Sequence, residues 1–481
     1  MVSSMHINQT QEADDAKAIV DSLLERARAA QAQYARYDQQ QVNEVVTAVA
    51  WALVQPERNH QISELAVKTT GLGNVDDKIA KNRRKTIGLL QDLQQAKSVG
   101  VIQELPELGL VEIARPVGVV GAIVPSTNPA ATPTNKTINA LKGRNAIILA
   151  PSPKGQDTCT LLLEYIHAEL DRVGAPRDLV QQLPAPISKA TTYELMRQVD
   201  LVLVTGSQNN VRAAYSSGTP AIGVGAGNVP VIIDASADLE DAAQKITASK
   251  TFDNATSCSS ENSLVILDAV YTQAIEALGR CGGVLLDADE KQQLEEAMWV
   301  DGNLSRHVIA RSAPEIAKIA GLTRAELQSA KFFMVEEQHV GKAYPFSGEK
   351  LSPVLAIYHV KDFDDAFEQT RQLLEHQGKG HSCGIHTADD AHIQRLGLEM
   401  PVCRVIVNQA HAFANGGSSN NGLPVSLSMG CGTWGENSIS DNLNYRHYLN
   451  ITRIARTIPP RETSEEELFG AYLQKHGLGD H

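Results

Sequence analysis

The sequence predicts an α/β fold: a doubly wound parallel sheet, then a second α/β section, preceded by helices and interrupted by one hairpin. Three observations predict it. Short apolar runs at 119–124, 145–150 and 201–205 alternate with helical patterns at 134–143 and 159–173. Crossovers of that length join parallel strands. The runs end at Pro125-Ser126, Ala150-Pro151 and Thr205-Gly206, polar turns at carboxyl ends where such sheets bind ligands. After a Gly-rich connection at 220–230, carrying Gly223, Gly225 and Gly227, apolar runs resume at 231–233, 264–267 and 284–286 and end near 405–407.

The other elements follow in chain order. Residues 1–12 read as a polar tail without an apolar signal core. Ile19, Val20, Leu23, Leu24 and Ala27 recur at helical spacing, as do Val42, Val45, Val46, Val49 and Leu53 after a break at 37–40. A third helix is expected over 75–98, basic and polar on its outer face, so that the three form a helical layer on one domain. The stretch 101–115 alternates like a hairpin, with Pro106 and Gly109 at its turn. The segment beyond Arg456 is charged and expected to be partly helical.

A chain of 481 residues exceeds one compact core, so two or three domains are expected. The net charge of −13 argues against nucleic-acid binding, which needs a basic face. It leaves room for a locally basic pocket that takes an anion. The six cysteines, at 159, 258, 281, 383, 403 and 431, form no CxxC pair, so no metal site is expected, and unpaired thiols suit a reducing cytoplasm. No apolar run reaches membrane-spanning length.

One stretch carries the chemistry. Residues 251–263 read Thr-Phe-Asp-Asn-Ala-Thr-Ser-Cys-Ser-Ser-Glu-Asn-Ser. Cys258 stands among small polar residues just ahead of an apolar run, a way to set a thiol on a turn before a buried strand. Small neighbours leave room for a substrate carbon, and backbone donors there are expected to lower the thiol pKa. Read without context, a lone cysteine is also simply a small buried apolar residue.

The Phe-Asp-Asn, Cys, Ser-Glu-x-Ser order resembles the nucleophile segment of the aldehyde dehydrogenase superfamily, and is closest to its acyl-coenzyme-A-forming branch. The resemblance runs from about Asp14 to Ile458. It implies a Rossmann-type cofactor domain over 1–100 and 115–228 and an α/β catalytic domain over 229–439. It also implies β oligomerisation or bridging elements at 101–114 and 440–481, in a homodimer or homotetramer. Cys258 is implied as the nucleophile that attacks an aldehyde and carries a thioester. Asn128, in Pro-Ser-Thr-Asn-Pro, is implied as an oxyanion donor beside the Cys258 N–H; an ordinary Asn-Pro turn is the alternative.

The cofactor residues are less distinctive, since no GxGxxG occurs. Thr205-Gly206-Ser207 looks like the family's pyrophosphate site at a helix N-terminus. Ser126, Thr127 and Gly225 join it as cofactor-side residues. Ser152 and Lys154 stand where the family reads the adenosine ribose, with Pro153 near the place of the usual acid, an arrangement that tolerates a 2′-phosphate. NADP or NAD is therefore the expected cofactor; a solvated Lys154 is the alternative. Glu349, in Glu-Lys-Leu-Ser-Pro-Val, matches the residue that binds the nicotinamide ribose. His381, in Gly-Lys-Gly-His-Ser-Cys, matches a His that assists thiol attack or binds cofactor; a structural role is the alternative. The glycine-rich 413–435 reads either as a flexible loop or as a substrate-side lid.

An absence sets the reaction. Acid-forming relatives place a water-activating Glu near the position of Val224, yet no acid occurs between Ser207 and Asp234. Hydrolysis of the thioester loses the 10²–10⁴-fold that a general base typically supplies. Coenzyme A, a thiol, needs less help. The expected function is NAD(P)-dependent acylating aldehyde oxidation. Its expected substrate is a small, polar or anionic aldehyde, first of all sulfoacetaldehyde. The hydroxyls and amide of Thr132, Thr134 and Asn135, beside Lys136, would suit a sulfonate; a polar turn that merely caps the helix is the alternative. The alternatives are acetaldehyde as substrate, a non-acylating enzyme that makes free acid, and a catalytically silent structural homologue. The chain is also expected to lack the alcohol dehydrogenase half of bifunctional relatives.

Overall fold

The structure, a computed structural model, describes residues 2–478; the last three residues of the bridging element expected at 440–481 lie outside them. Four helices lead: α1 (Val2–Tyr34), α2 (Gln39–Val54), α3 (Pro56–Thr70) and α4 (Val75–Leu93). Helix α1 begins inside the segment read as a polar tail. Helix α2 starts at the break read from the sequence, where the Asp38 carboxylate accepts the Gln41 N–H and Gln41 returns the bond. Helix α3 was not legible: Ile62 and Ala66 are its only buried apolar residues, too few to mark a stripe.

Helix α4 ends at Leu93, five residues short of expectation, and corrects the reading of a basic outer face. Lys78, Lys81 and Lys85 are all buried. Their spacing of three and four residues puts them on one side of the helix, and that side faces inward, because each ammonium finds carboxylates or carbonyls there.

The five-stranded parallel sheet has the order Val180–Gln182, Ala146–Pro151, Val119–Val124, Leu201–Val204, Ala221–Gly223. The chain enters at the middle strand, winds outward on one side, then returns to wind outward on the other. The switch point lies between Val119–Val124 and Leu201–Val204, where a crevice opens beyond the strand ends. The first of these strands is buried along its whole length and the second likewise, as expected for a sheet covered on both faces.

The second parallel sheet has seven strands, in the order Gly283–Leu285, Phe332–Glu336, Val354–Val360, Glu261–Leu267, Val229–Ile233, Cys383–His386, Val405–Val407. The strands at 332–336, 354–360 and 383–386 were missed by the sequence reading. The hairpin, Gly100–Leu105 with Leu110–Pro116, turns through Pro106–Leu108 and pairs with Leu449–Ala455 in a separate antiparallel sheet. A helix follows at Glu465–His476. Among the described residues no helix is long and apolar enough to cross a membrane.

The helix after Asn128, α5 (Ala131–Lys142), corrects another expectation. It is buried throughout. Lys136 donates to the carbonyls of Ile123 (2.9 Å) and Leu203 (3.2 Å), so it pins the helix beneath the switch point, and it lines none of the cavities described below.

Candidate active site

Cys258 lies three residues ahead of the strand Glu261–Leu267, on a turn closed by Ser260 N–H to Ser257 O at 3.0 Å. The turn is held from outside as well. Asn415 donates to Ser259 Oγ (3.0 Å), and His411 Nδ1 meets Ser259 O at 2.9 Å. Gly227 allows the close approach: a Cβ there would come within 2.1 Å of the Cys258 carbonyl oxygen.

The backbone before the turn is unusual. Asp253, Asn254 and Ala255 all have positive φ, 50°, 51° and 59°. Each such residue costs free energy unless its surroundings enforce it. Here the enforcement is the Asp253 carboxylate, fully buried between Lys78 (3.1 Å) and Lys81 (2.5 Å) of α4. Asn74 N–H and Thr256 Oγ1 donate to it as well, and Asp77 accepts the Asp253 N–H at 2.7 Å. Gly73 is a glycine for this reason, since a Cβ would meet Asp253 Oδ1 at 1.8 Å. Burial alone would raise the Asp253 carboxyl, but Lys81 and Lys78 outweigh it and hold it low. The Phe-Asp-Asn signature is thus the anchor of the nucleophile loop to a helix far away in sequence.

Lys81 has a second task. It donates to Asn128 Oδ1 at 2.9 Å. An ammonium only donates, so the amide oxygen must face it and Nδ2 is left to point elsewhere. The Cys258 N–H likewise bonds no acceptor among the described residues. Two free donors beside the thiol have the makings of an oxyanion hole.

Asn128 and Cys258 line a cavity of about 360 Å³ with Thr127, Thr205, Gly206, Ser207, Gly225, Glu349 and His381. Val224, at the place of the water-activating acid, lines it with hydrocarbon. A second cavity of about 370 Å³ lies beyond the strand ends and is lined by Ser126, Ser152, Thr205, Gly206 and Ser207. Pro125 and 205–207 belong to both, so one elongated ligand fits across the switch point. Ser207 caps the helix Gln208–Tyr215 by accepting the Asn210 N–H at 3.4 Å. Ser152 Oγ and Glu349 Oε1 are buried without partners among the described residues, as residues awaiting ribose hydroxyls would be. Lys154 departs from the expected set: it is exposed and lines neither cavity. Thr132 and Asn135 also line neither.

The expectation of a lowered thiol pKa is overturned. Burial pushes the Cys258 thiol up to about 12, with Glu349 and Cys431 adding to the rise against a Ser259 hydrogen bond and Arg404. No cation pairs with the sulfur, so desolvation wins. Glu349 is itself pushed up by burial, to about 8. His381 is kept neutral by burial and by Arg404 and His411; its Nδ1 meets Ser382 Oγ at 2.8 Å and its buried Nε2 has no partner. In the 413–435 segment the flexible-loop alternative fails. Leu427 and Met429 line the Cys258 cavity, and Asn415, Ser426, Ser428 and Cys431 are buried.

A protonated thiol makes a testable expectation. Iodoacetamide alkylation of the cofactor-free protein should accelerate roughly tenfold per pH unit from 7 to 9.5 without a plateau, since thiolate is the reactive form. A plateau below pH 8 would show that the sulfur is already ionised.

The residues that sequence reasoning missed are those of α4. Their signal was present, three lysines at helical spacing, but charge on a helix is by default a solvated face.

Comparison with known proteins extends this geometry. The sequence profile of the aldehyde dehydrogenase family matches residues 3–281. An acylating sulfoacetaldehyde dehydrogenase of Cupriavidus necator is 59% identical over 467 residues, covering 97% of this chain and 95% of the relative. The crystal structure of an acetylating aldehyde dehydrogenase from Geobacillus thermoglucosidasius superimposes with a TM-score of 0.90 at 37% identity, covering 94% of this chain and 99% of that one. A Rhodopseudomonas palustris propionaldehyde dehydrogenase solved with bound propionyl-CoA gives a TM-score of 0.81 at 25% identity, over 91% and 94% of the two chains.

Proposed function

The chain belongs to the aldehyde dehydrogenase family, and from that premise we propose that it oxidises an aldehyde to an acyl-coenzyme A with NADP or NAD, through a thioester on Cys258. One observation carries the acylating choice. The cavity holds a thiol and two free oxyanion donors, but its only carboxyl group is Glu349, which at about 8 is mostly protonated at neutral pH. Val224 fills the place of a base. Water is therefore poorly activated, and a thiol cosubstrate is the better acyl acceptor. The names of the similar proteins, acylating and acetylating dehydrogenases and one with bound propionyl-CoA, support the same acceptor.

In this reading the Cys258 thiol gives its proton to His381 Nε2, which releases it to solvent, as Sγ bonds the aldehyde carbon, and the oxygen gathers charge against Asn128 Nδ2 and the Cys258 N–H. The nicotinamide, when bound, supplies the hydride acceptor. Thr205, Gly206 and Ser207 hold the pyrophosphate, Ser126 and Ser152 the adenosine side, and Thr127, Gly225 and Glu349 the nicotinamide side. With Lys154 outside the cavity, tolerance of a 2′-phosphate rests on Ser152 and the missing acid. His381, neutral with a free Nε2, accepts the proton of the incoming thiol. Sulfoacetaldehyde is the proposed substrate, on the strength of the Cupriavidus necator relative.

The parts divide as cofactor domain (1–100, 115–228), catalytic domain (229–439) and bridging elements (101–114, 440–481). Exposed Val101 and Ile454 on the antiparallel sheet, and Leu468, Phe469 and Tyr472 on the helix after it, support a homodimer or homotetramer built on these elements. Six free cysteines support a cytoplasmic location.

The experiment is turnover with sulfoacetaldehyde and either nicotinamide cofactor, with and without coenzyme A, the product identified by mass spectrometry. A coenzyme A thioester is expected, with little nicotinamide reduction in its absence. Free acid formed equally fast without coenzyme A would overturn the acylating reading.

A further inference from the structure

A third, small cavity of about 30 Å³ lies against the other flank of the nucleophile. Lys81, Arg84, Lys85, Asn128, Ser257 and Ser259 line it, and no carboxylate does. It shares Asn128, Ser257, Leu427 and Met429 with the Cys258 cavity. Whatever group sits in it is therefore next to the oxyanion donor and the turn that bears the sulfur.

The three cations are not equivalent. Lys81 is matched by Asp253 and by the oxygens of Asn128 and Thr256. Lys85 donates to the carbonyls of Gly416 (2.7 Å) and Gly417 (3.1 Å). Arg84 feels the charge of Asp77, a residue that does not line this cavity, but is not bonded to it. It forms no hydrogen bond or ion pair among the described residues, and its Nε is buried without a partner. Its guanidinium is instead clamped between rings, 4.2 Å from the centroid of Phe413 and 5.1 Å from that of Phe252. Aromatic faces fix the plane of a guanidinium and leave its N–H edge unsatisfied. A fixed, half-buried fork of donors with nothing to accept from it is the arrangement that takes a planar or trigonal oxyanion.

We infer that Arg84, clamped by Phe252 and Phe413, is the receptor for an acidic head group, sulfonate or carboxylate, on a short aldehyde whose carbonyl lies at Cys258 and Asn128. The inference rests on the reading of Cys258 and Asn128 as the reaction centre, and it deepens that reading by giving the residue that selects the substrate. It also relocates the recognition of the anion from α5, where the sequence placed it, to α4.

The test separates recognition from turnover. Isethionate, a sulfonate alcohol that cannot react, should protect Cys258 of the wild-type protein from iodoacetamide, whereas 1-propanol at equal concentration should not. In Arg84→Met the isethionate concentration for half-protection should rise roughly 10²-fold, the size expected when one partner of a desolvated charge pair is removed. Arg84→Lys should fall between. Unchanged NADP binding and melting temperature exclude a folding defect. In turnover, Arg84→Met should raise KM for sulfoacetaldehyde by a similar factor and leave kcat/KM for propionaldehyde equal or higher. Equal protection of wild type and Arg84→Met, or parallel loss on both aldehydes, would overturn the inference. Protection lost in the variant while no coenzyme A thioester forms in the wild type would uphold the anion site and reject the acylating reading instead.

Discussion

Cys258→Ala should abolish aldehyde-dependent nicotinamide reduction while leaving cofactor binding intact. The loss should be complete within detection, because Cys258 is the only cysteine that lines any of the three cavities. Cys431, the thiol whose charge reaches it, is fully buried and lines none of these cavities, so it cannot substitute. Removing a nucleophile that forms the covalent intermediate leaves only binding and the oxyanion donors, with no group to carry the acyl chain. The measurement is steady-state reduction at saturating aldehyde and coenzyme A, alongside cofactor binding by fluorescence. Activity above a few per cent of wild type would move the covalent step elsewhere.

Asp253→Ala should lower both stability and activity. It strips the carboxylate from two lysines whose side chains are 5% and 6% exposed, and leaves two cations facing each other. Breaking a buried pair by removing one partner typically costs about 3–5 kcal/mol, because the remaining charge stays desolvated. Lys78 is already lowered to about 8 by burial and by Lys81, with Asp253 acting against that, so the variant should release its proton more readily. Three left-handed residues would also lose their enforcement, and Lys81 its fixed position under Asn128. Urea denaturation should show the stability loss, and kcat should fall further than KM changes. Asp253→Ala combined with Lys81→Met should recover part of the stability and none of the activity. A stability change under about 1 kcal/mol would mean that the lysines find other partners.

The fold was largely legible in the sequence because it is written in periodicity. Buried parallel strands read as unbroken apolar runs, and 119–124 and 201–204 appeared within a residue of their true ends. Strands 332–336, 354–360 and 383–386 were missed. The first two are apolar runs as well, Phe-Phe-Met-Val and Val-Leu-Ala-Ile, and pair with each other, so their signal was present and passed over; Cys383-Gly-Ile-His has no such run and pairs with 231–233, far away in sequence. Cys258, Asn128 and Thr205-Gly206-Ser207, singled out in the sequence as small polar residues at strand ends and through the family resemblance, do line one cavity. The cations of α4 were not legible. A lysine on a helix looks the same whether it meets water or a buried aspartate 172 residues away, and only the folded chain distinguishes them. Arg84 escaped for the same reason: its clamp is made of Phe252 and Phe413, on two segments that local patterns do not connect. The thiol pKa was misjudged because nearby N–H groups are visible in a sequence, whereas the depth at which the sulfur is buried is not.

The lock between Asp253 and α4 has a consequence for how such chains are inherited and recombined. Residues 74–81 and 253–256 form one cooperative block although more than 170 positions separate them. A crossover anywhere between them, in nature or in a shuffled library, joins a lysine pair from one parent to an aspartate loop from the other. Parents that differ at 73, 78, 81 or 253 should give inactive progeny from such breaks, even where each half folds. Breaks placed before residue 73 or after residue 256 keep the block whole. A chimera that carries a foreign nucleophile loop should therefore be rescued by grafting residues 73–81 from the same donor.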